Sequence, residues 1–156
     1  MGSVWRRGRR SFTVAAVFMI LTAAVHTAGN LAAKSSSAEE TQVRSEMAAL
    51  RFPLGMGMQP SLWDIYWDLT LTMSITLAAL GLINLLLAAS GEIPDRILRR
   101  VSWVNLIWVV AFLWLSWVQQ VPPPLISGIA FVVFVAGSIW ELGRQSEESL
   151  TRAQGR

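Results

Sequence analysis

The chain has 156 residues, 53% hydrophobic and 15% charged, with 8 Trp, no Cys and a formal net charge of +3. All 13 basic and 10 acidic residues lie outside three uncharged stretches, residues 11–33, 69–91 and 101–140. A soluble domain mixes charge into every surface helix; this segregation excludes a soluble enzyme, and the composition excludes a disordered chain and a disulfide framework.

A helix crosses the hydrocarbon layer with roughly 20 apolar residues. The first stretch suffices for one span and the second for another. The third is long enough for two and is divided at residues 119–124, where Pro122, Pro123 and Pro124 follow one another. Proline lacks an N–H and its ring clashes with the preceding turn, so a helix does not continue through the three. The expected fold is all-α: a four-helix transmembrane bundle, up-down-up-down, forming one membrane domain. Its spans cover residues 12–33, 67–90, 101–118 and 124–142, with tails at 1–11 and 143–156.

Basic residues orient such a chain. Arg6, Arg7, Arg9, Arg10, Arg96, Arg99, Arg100, Arg144, Arg152 and Arg156 fall at one set of span ends, against Lys34, Arg44 and Arg51 at the other. Both termini are therefore expected in the cytoplasm. The basic flanks read as topology signals and weak contacts to anionic lipid, with no nucleic acid as partner. Trp63, Tyr66, Trp67, Trp114 and Trp117 gather at the outer boundary and Trp5, Trp103 and Trp140 at the inner one, where an indole finds both apolar and polar surroundings. The N-terminus also resembles an export signal, with Arg9-Arg10 ahead of an apolar run. His26 and Leu31 spoil the small-residue positions before Ala28 and Ala33, so the first helix is expected to stay attached.

Helix one carries Thr22, His26 and Asn30 at every fourth position, a shared polar face, and Ala24, Ala28 and Ala32 as a small-residue face open to another helix. Residues 34–66 form the outer loop. Ser37-Ala38-Glu39-Glu40 is a capping box, and Val43, Met47 and Leu50 recur behind it, so an amphipathic surface helix is expected over 38–51. Met56 and Met58 in the turn-rich connector read as loop packing against the membrane in preference to a copper site. Ser61 caps the next helix, with Asp64 in its first turn.

Helix two repeats Asp64, Asp68, Thr72 and Thr76 at four-residue spacing. At 1.5 Å per residue, His26 lies about 9 Å inside the outer boundary, with Asp68 at it and Thr72 about 6 Å within. The two polar stripes thus occupy the same outer half. They form either a ligand pocket of Thr22, His26, Asn30, Trp63, Asp64, Tyr66, Asp68 and Thr72, or hydrogen-bonding glue between helices, with Asp64 only a cap. A single His and no Cys exclude bis-histidine haem and leave a closed zinc site short of ligands. Neither metal nor cofactor is expected. Asn84 and Asn105 lie in the inner halves of helices two and three, close enough for a contact, and Glu141 is a boundary charge near Arg144.

His26-Thr27-Ala28-Gly29, Met47, Arg51-Phe52, Gly57, Ser61-Leu62-Trp63-Asp64-Ile65-Tyr66, Leu71 and Ser74 together resemble a family of small bacterial membrane proteins with four spans and no established activity. The resemblance covers residues 14–140 and is most specific over His26–Gly29 and Ser61–Ser74. It implies a four-span fold in the bacterial inner membrane. The family pattern places Gly-Phe-Gly where this chain has Asp68-Leu69-Thr70, so the resemblance favours His26, Trp63, Asp64 and Tyr66 over Asp68.

Three functions compete. The first is a module binding a small ligand, membrane lipid, a second copy of itself or another membrane protein. The second is an acid–base enzyme acting on a lipid-soluble substrate, with His26, Asp64 and Tyr66 as candidate catalytic groups. The third is a small proton-coupled transporter, which the lack of a carboxylate in helix one disfavours.

Overall fold

The computed structural model describes residues 7–32, 37–120 and 122–154. Over them the protein is all-helical, with five helices and no strand: α1 (Arg7–Ala32), α2 (Ala38–Ala49), α3 (Leu62–Ala89), α4 (Asp95–Val118) and α5 (Pro122–Gln154). Four of them contain segments long and apolar enough to cross a membrane: Gly8–Ala32, Leu62–Ala89, Asp95–Val118 and Ile126–Arg144. Trp5, Arg6, Lys34 and Arg156, assigned to boundaries from the sequence, lie outside the described residues.

The helices overrun the expected spans at their polar ends. α1 begins at Arg7 and α5 runs to Gln154, so Arg7, Arg9, Arg10, Arg144 and Arg152 lie within the helices. α5 also begins at Pro122, within the triplet that divides the third stretch. The first turn of a helix has no use for its N–H groups, so prolines that cannot continue a helix can still start one.

The chain divides into two compact units: residues 23–78, and residues 1–22 together with 79–156. In the unit built from both ends of the chain, Phe12, Ala88, Leu98 and Leu142 form a buried cluster, with Leu87, Ile93 and Val101 against it. α4 and α5 lie side by side. Ser102 meets Ser138, and a Cβ placed on Gly128 would stand 2.6 Å from Leu113. Between α1 and α5, the Phe18 and Phe134 rings stand 5.6 Å apart and Ser11 Oγ donates to Glu141 Oε2 at 2.6 Å. Glu141 thus answers a hydroxyl on α1.

Small residues let α1 and α3 approach in this unit. A Cβ on Gly81 would sit 2.7 Å from Ile20 Cγ1 and 2.9 Å from the Ala16 carbonyl oxygen. Asn84, buried, donates to Met19 Sδ at 3.7 Å; its partner is on α1, and not Asn105 on α4 as the sequence allowed. Ala15 and Ala16 are buried, whereas Ala24, Ala28 and Ala32 are exposed. The small-residue face that packs is therefore not the stripe singled out from sequence.

The unit of residues 23–78 holds the last turns of α1, all of α2, a hairpin-like connector and the first half of α3. Ser37 caps α2, its Oγ accepting from the Glu40 amide at 3.1 Å. This helix buries none of its residues. The connector pairs Arg51 with Ser61 and Gly55 with Met58.

Candidate functional site

Toward the C-terminal end of α1, the His26 ring is half-buried, and its Nδ1 shares a hydrogen bond of 2.9 Å with Ser74 Oγ on α3. Ser74 is 4% exposed. Its hydroxyl also reaches the Thr70 carbonyl of its own helix at 3.3 Å. Asn30, one turn beyond His26, donates to the His26 carbonyl at 2.8 Å. The same amide nitrogen stands 3.4 Å from both Nδ1 and Nε2 of the ring. A group equidistant from the two ring nitrogens lies along neither lone pair, so Asn30 flanks the imidazole and makes no well-directed bond to it.

A second polar group forms where α3 begins. Asp64 Oδ2 accepts from the Ser61 amide at 2.8 Å and from Ser61 Oγ at 2.7 Å. Ser61 Oγ in turn accepts from the Asp64 amide at 3.1 Å. This reciprocal box satisfies first-turn donors that the helix itself leaves unpaired. Arg51 approaches the same carboxylate oxygen at 4.0 Å. Next along the helix, Trp63 stacks on Tyr66 at 5.4 Å and meets Trp67 edge-on at 5.9 Å. The Arg44 guanidinium of α2 lies 5.3 Å from the Trp63 ring while also pairing with Glu40 at 2.6 Å. A cation over an aromatic face is held by the ring quadrupole, and it ties α2 to the start of α3.

The residues singled out from sequence therefore separate into groups. His26 and Asn30 come together, and the partner across from them is Ser74. Trp63, Asp64 and Tyr66 cluster eight to eleven residues earlier on α3 than Ser74, about 12–17 Å along the helix axis. Asp68 and Thr72 are exposed, as is Thr76. Thr22 turns its hydroxyl back to the Phe18 carbonyl at 2.8 Å. No three His, Asp or Glu residues gather as a metal-binding group among the described residues.

The resemblance touched Ser74, but the pocket read from the sequence left it out because that reading followed polar residues at i+4. The face of α3 that is buried carries Ser74, Leu77, Gly81, Asn84 and Ala88, at alternating steps of three and four. The legible signal was the small residue every seventh position, Ser74, Gly81 and Ala88, which marks a helix-packing seam.

A polar side chain with four acceptors lies in the other unit and was read from sequence only as a topology charge and weak lipid contact. Arg9 Nε donates to Asp95 Oδ1 at 3.0 Å. Its terminal nitrogens donate to the Ala88 carbonyl at 3.4 Å and the Ser90 carbonyl at 2.9 Å, and to the carbonyl of Ile93. These oxygens belong to the end of α3 and the turn into α4, where helical acceptors run out. The guanidinium caps a helix C-terminus.

No family model, no curated protein and no solved structure matches the chain.

Proposed function

We propose that the protein is a four-span, up-down-up-down integral protein of the bacterial inner membrane, with both termini cytoplasmic. It acts there as a binding module for a small ligand or lipid recognised in the outer half of the bilayer at His26. Partner positions support the alternating direction: Gly8 stands by Leu142, Ser11 by Glu141 and Phe18 by Phe134, falling along α5 as they rise along α1. Arg10, Arg96, Arg99, Arg100 and Arg144 are exposed and belong to one unit, which supports the orientation. Arg44 and Arg51 of the other unit stand beside Glu40 and Asp64.

The observation that carries the binding role is the 2.9 Å contact between His26 Nδ1 and Ser74 Oγ. Polar side chains at membrane depth are costly unless they answer one another or a ligand. In the tautomer protonated at Nδ1, the ring donates to Ser74, whose own proton goes to Thr70, and the Nε2 lone pair is an acceptor for a ligand hydroxyl or amine.

Native mass spectrometry of protein extracted in mild detergent tests the reading. Wild-type protein retains a lipid or small molecule that His26→Ala and Ser74→Ala both lose while remaining extractable and monodisperse. Retention of the same adduct by His26→Ala, or a wild-type protein without one, ends it. Single cysteines test the orientation against no native background. A membrane-impermeant thiol reagent added from the periplasm labels Ser45→Cys and spares Arg100→Cys; the reverse result overturns it.

The same contact supports a second reading, acid–base chemistry on a lipid-soluble substrate, because the imidazole stands within proton-transfer reach of a hydroxyl. In it Ser74 takes the place beside His26 that the sequence had given to Asp64.

A further inference from the structure

We infer that the connector between α2 and α3 is an interfacial membrane anchor, its apolar tip seated among the lipid headgroups of the outer leaflet. The inference rests on the membrane reading above and adds a lipid-binding surface to it.

The connector has a defined shape. The Leu62 amide donates to Leu50 at 2.9 Å, Phe52 to Pro60 at 3.0 Å, Leu54 to Met58 at 3.2 Å and Met58 to Gly55 at 3.0 Å. This ladder fastens the hairpin to the start of α3, beside Trp63, Tyr66 and Trp67, whose indole and phenol rings suit the membrane boundary.

The side chains on the ladder are the wrong ones for water. Leu54, Met56 and Met58 are all exposed, Met56 at 92%, and residues 52–63 contain no charged side chain. Neighbouring apolar side chains projecting from one tip mark an interaction surface more than isolated ones do. Turn geometry does not explain them. The tip runs through positive φ at Gly55 (85°), Met56 (50°) and Gly57 (78°). Glycine, asparagine or aspartate satisfies such a position, and a long unbranched thioether is disfavoured there. Met56 keeps its place against local preference, as an anchor would.

Backbone chemistry fixes the depth. Among the described residues, the amides of Gly55, Met56 and Gly57 have no backbone acceptor. Unpaired amides are not tolerated in hydrocarbon. In the headgroup layer, water, phosphate and ester oxygens accept from them while the side chains reach the acyl boundary. Arg51, at the base of the hairpin and exposed, donates to the Gln59 carbonyl at 3.1 Å and stands 4.0 Å from Asp64, a cation that a lipid phosphate would meet at that depth.

The absence of cysteine makes the test direct. Full-length Met56→Cys, Ser45→Cys and Ile75→Cys are each labelled with an environment-sensitive fluorophore and reconstituted into phosphatidylcholine vesicles. Lipids carrying a nitroxide near the headgroup are compared with aqueous iodide as quenchers. The label at position 56 emits to the blue of that at 45 and is quenched by the nitroxide lipid and little by iodide. Iodide quenching equal to that at position 45, with no effect of the nitroxide lipid, overturns the inference. Protection from both quenchers also overturns it, because a protein surface such as a second copy then covers the tip. Position 75, on an exposed part of α3, separates the two claims. There the quencher is a nitroxide on the lipid acyl chain, since position 75 lies about 10 Å deeper than Asp68; quenching at 75 with none by the headgroup nitroxide at 56 sinks the anchor alone, and no acyl-chain quenching at 75 sinks the membrane reading as well.

Discussion

Arg9 and Asp95 stand 86 positions apart in the chain, yet their side chains meet at 3.0 Å, with the arginine 7% exposed. The pair joins the first helix to the first turn of α4, and the same guanidinium holds the carbonyls that end α3. Removing Arg9 takes the shared donor from the Ala88, Ser90 and Ile93 carbonyls and one partner from Asp95, at a cost of about 3 kcal/mol, the low end for a buried pair. Arg9→Ala is therefore expected to lower the unfolding midpoint in detergent sharply. Arg9→Lys restores only part of the loss, because a single ammonium cannot reproduce the planar fork that spans a carboxylate and three carbonyls. A lysine variant as stable as wild type would show that charge alone matters at this position.

Two glycines offer a paired test of helix packing. Gly81→Ala drives a methyl group toward the Ala16 carbonyl oxygen, 2.9 Å away, and backbone cannot step aside as a side chain can. Such overpacking costs about 1–3 kcal/mol. Gly137 sits on α5 with nothing within 4 Å of its missing Cβ. Gly137→Ala is accordingly neutral or stabilising, by up to about 1 kcal/mol, since alanine restricts the unfolded chain. Equal stabilisation by both changes would mean that helix propensity, not close approach, sets the effect.

The long apolar stretches made the helices legible in the sequence. A run such as residues 69–91 has one economical solution in an apolar medium, because an α-helix satisfies its backbone internally. The caps were legible for a similar reason: Ser37 and Ser61 need only their own local sequence to act, and both act as read. What failed was the assignment of faces. Thr72 and Thr76 share a polar stripe with Asp64, and a threonine at membrane depth suggests a partner. A threonine hydroxyl, however, can return to the carbonyl one turn back, as Thr22 does, so a polar residue on a helix need not face anything. Arg9 shows the converse. Nothing near it in sequence announces Asp95, and only folding brings the two together.

Ser102 and Ser138 are both buried, their hydroxyls 3.2 Å apart between α4 and α5. Ser102 already donates to the Leu98 carbonyl at 2.9 Å, so the proton between the two hydroxyls comes from Ser138. Ser138→Ala removes that donor without disturbing the small side chain's fit and is expected to cost about 0.6 kcal/mol, the usual scale for a hydrogen bond between helices in a membrane. Ser138→Leu fails for a different reason, since no space remains beside a fully buried serine. Chemical unfolding in mixed micelles resolves the two. An alanine variant as disrupted as the leucine variant would assign the position to a network larger than this pair.

The last prediction concerns which residue works with His26. Ser74 shares a hydrogen bond with it at 2.9 Å, whereas Asp64 is engaged by Ser61 and lies ten residues earlier on α3, about 15 Å along the axis. Groups in contact couple energetically, and groups at that separation with no shared partner do not. A double-mutant cycle on His26→Ala and Ser74→Ala is expected to return a coupling of about 0.6 to 1.7 kcal/mol. The parallel cycle with Asp64→Ala returns none, although Asp64→Ala alone weakens α3 by unmaking its cap. Unfolding free energies from denaturant titration of the three single and two double variants supply both numbers. Strong coupling to Asp64 with none to Ser74 would restore the carboxylate as the partner of the imidazole. Strict additivity in both cycles would leave His26 without a polar partner on α3, and the binding role would lose the contact that carries it.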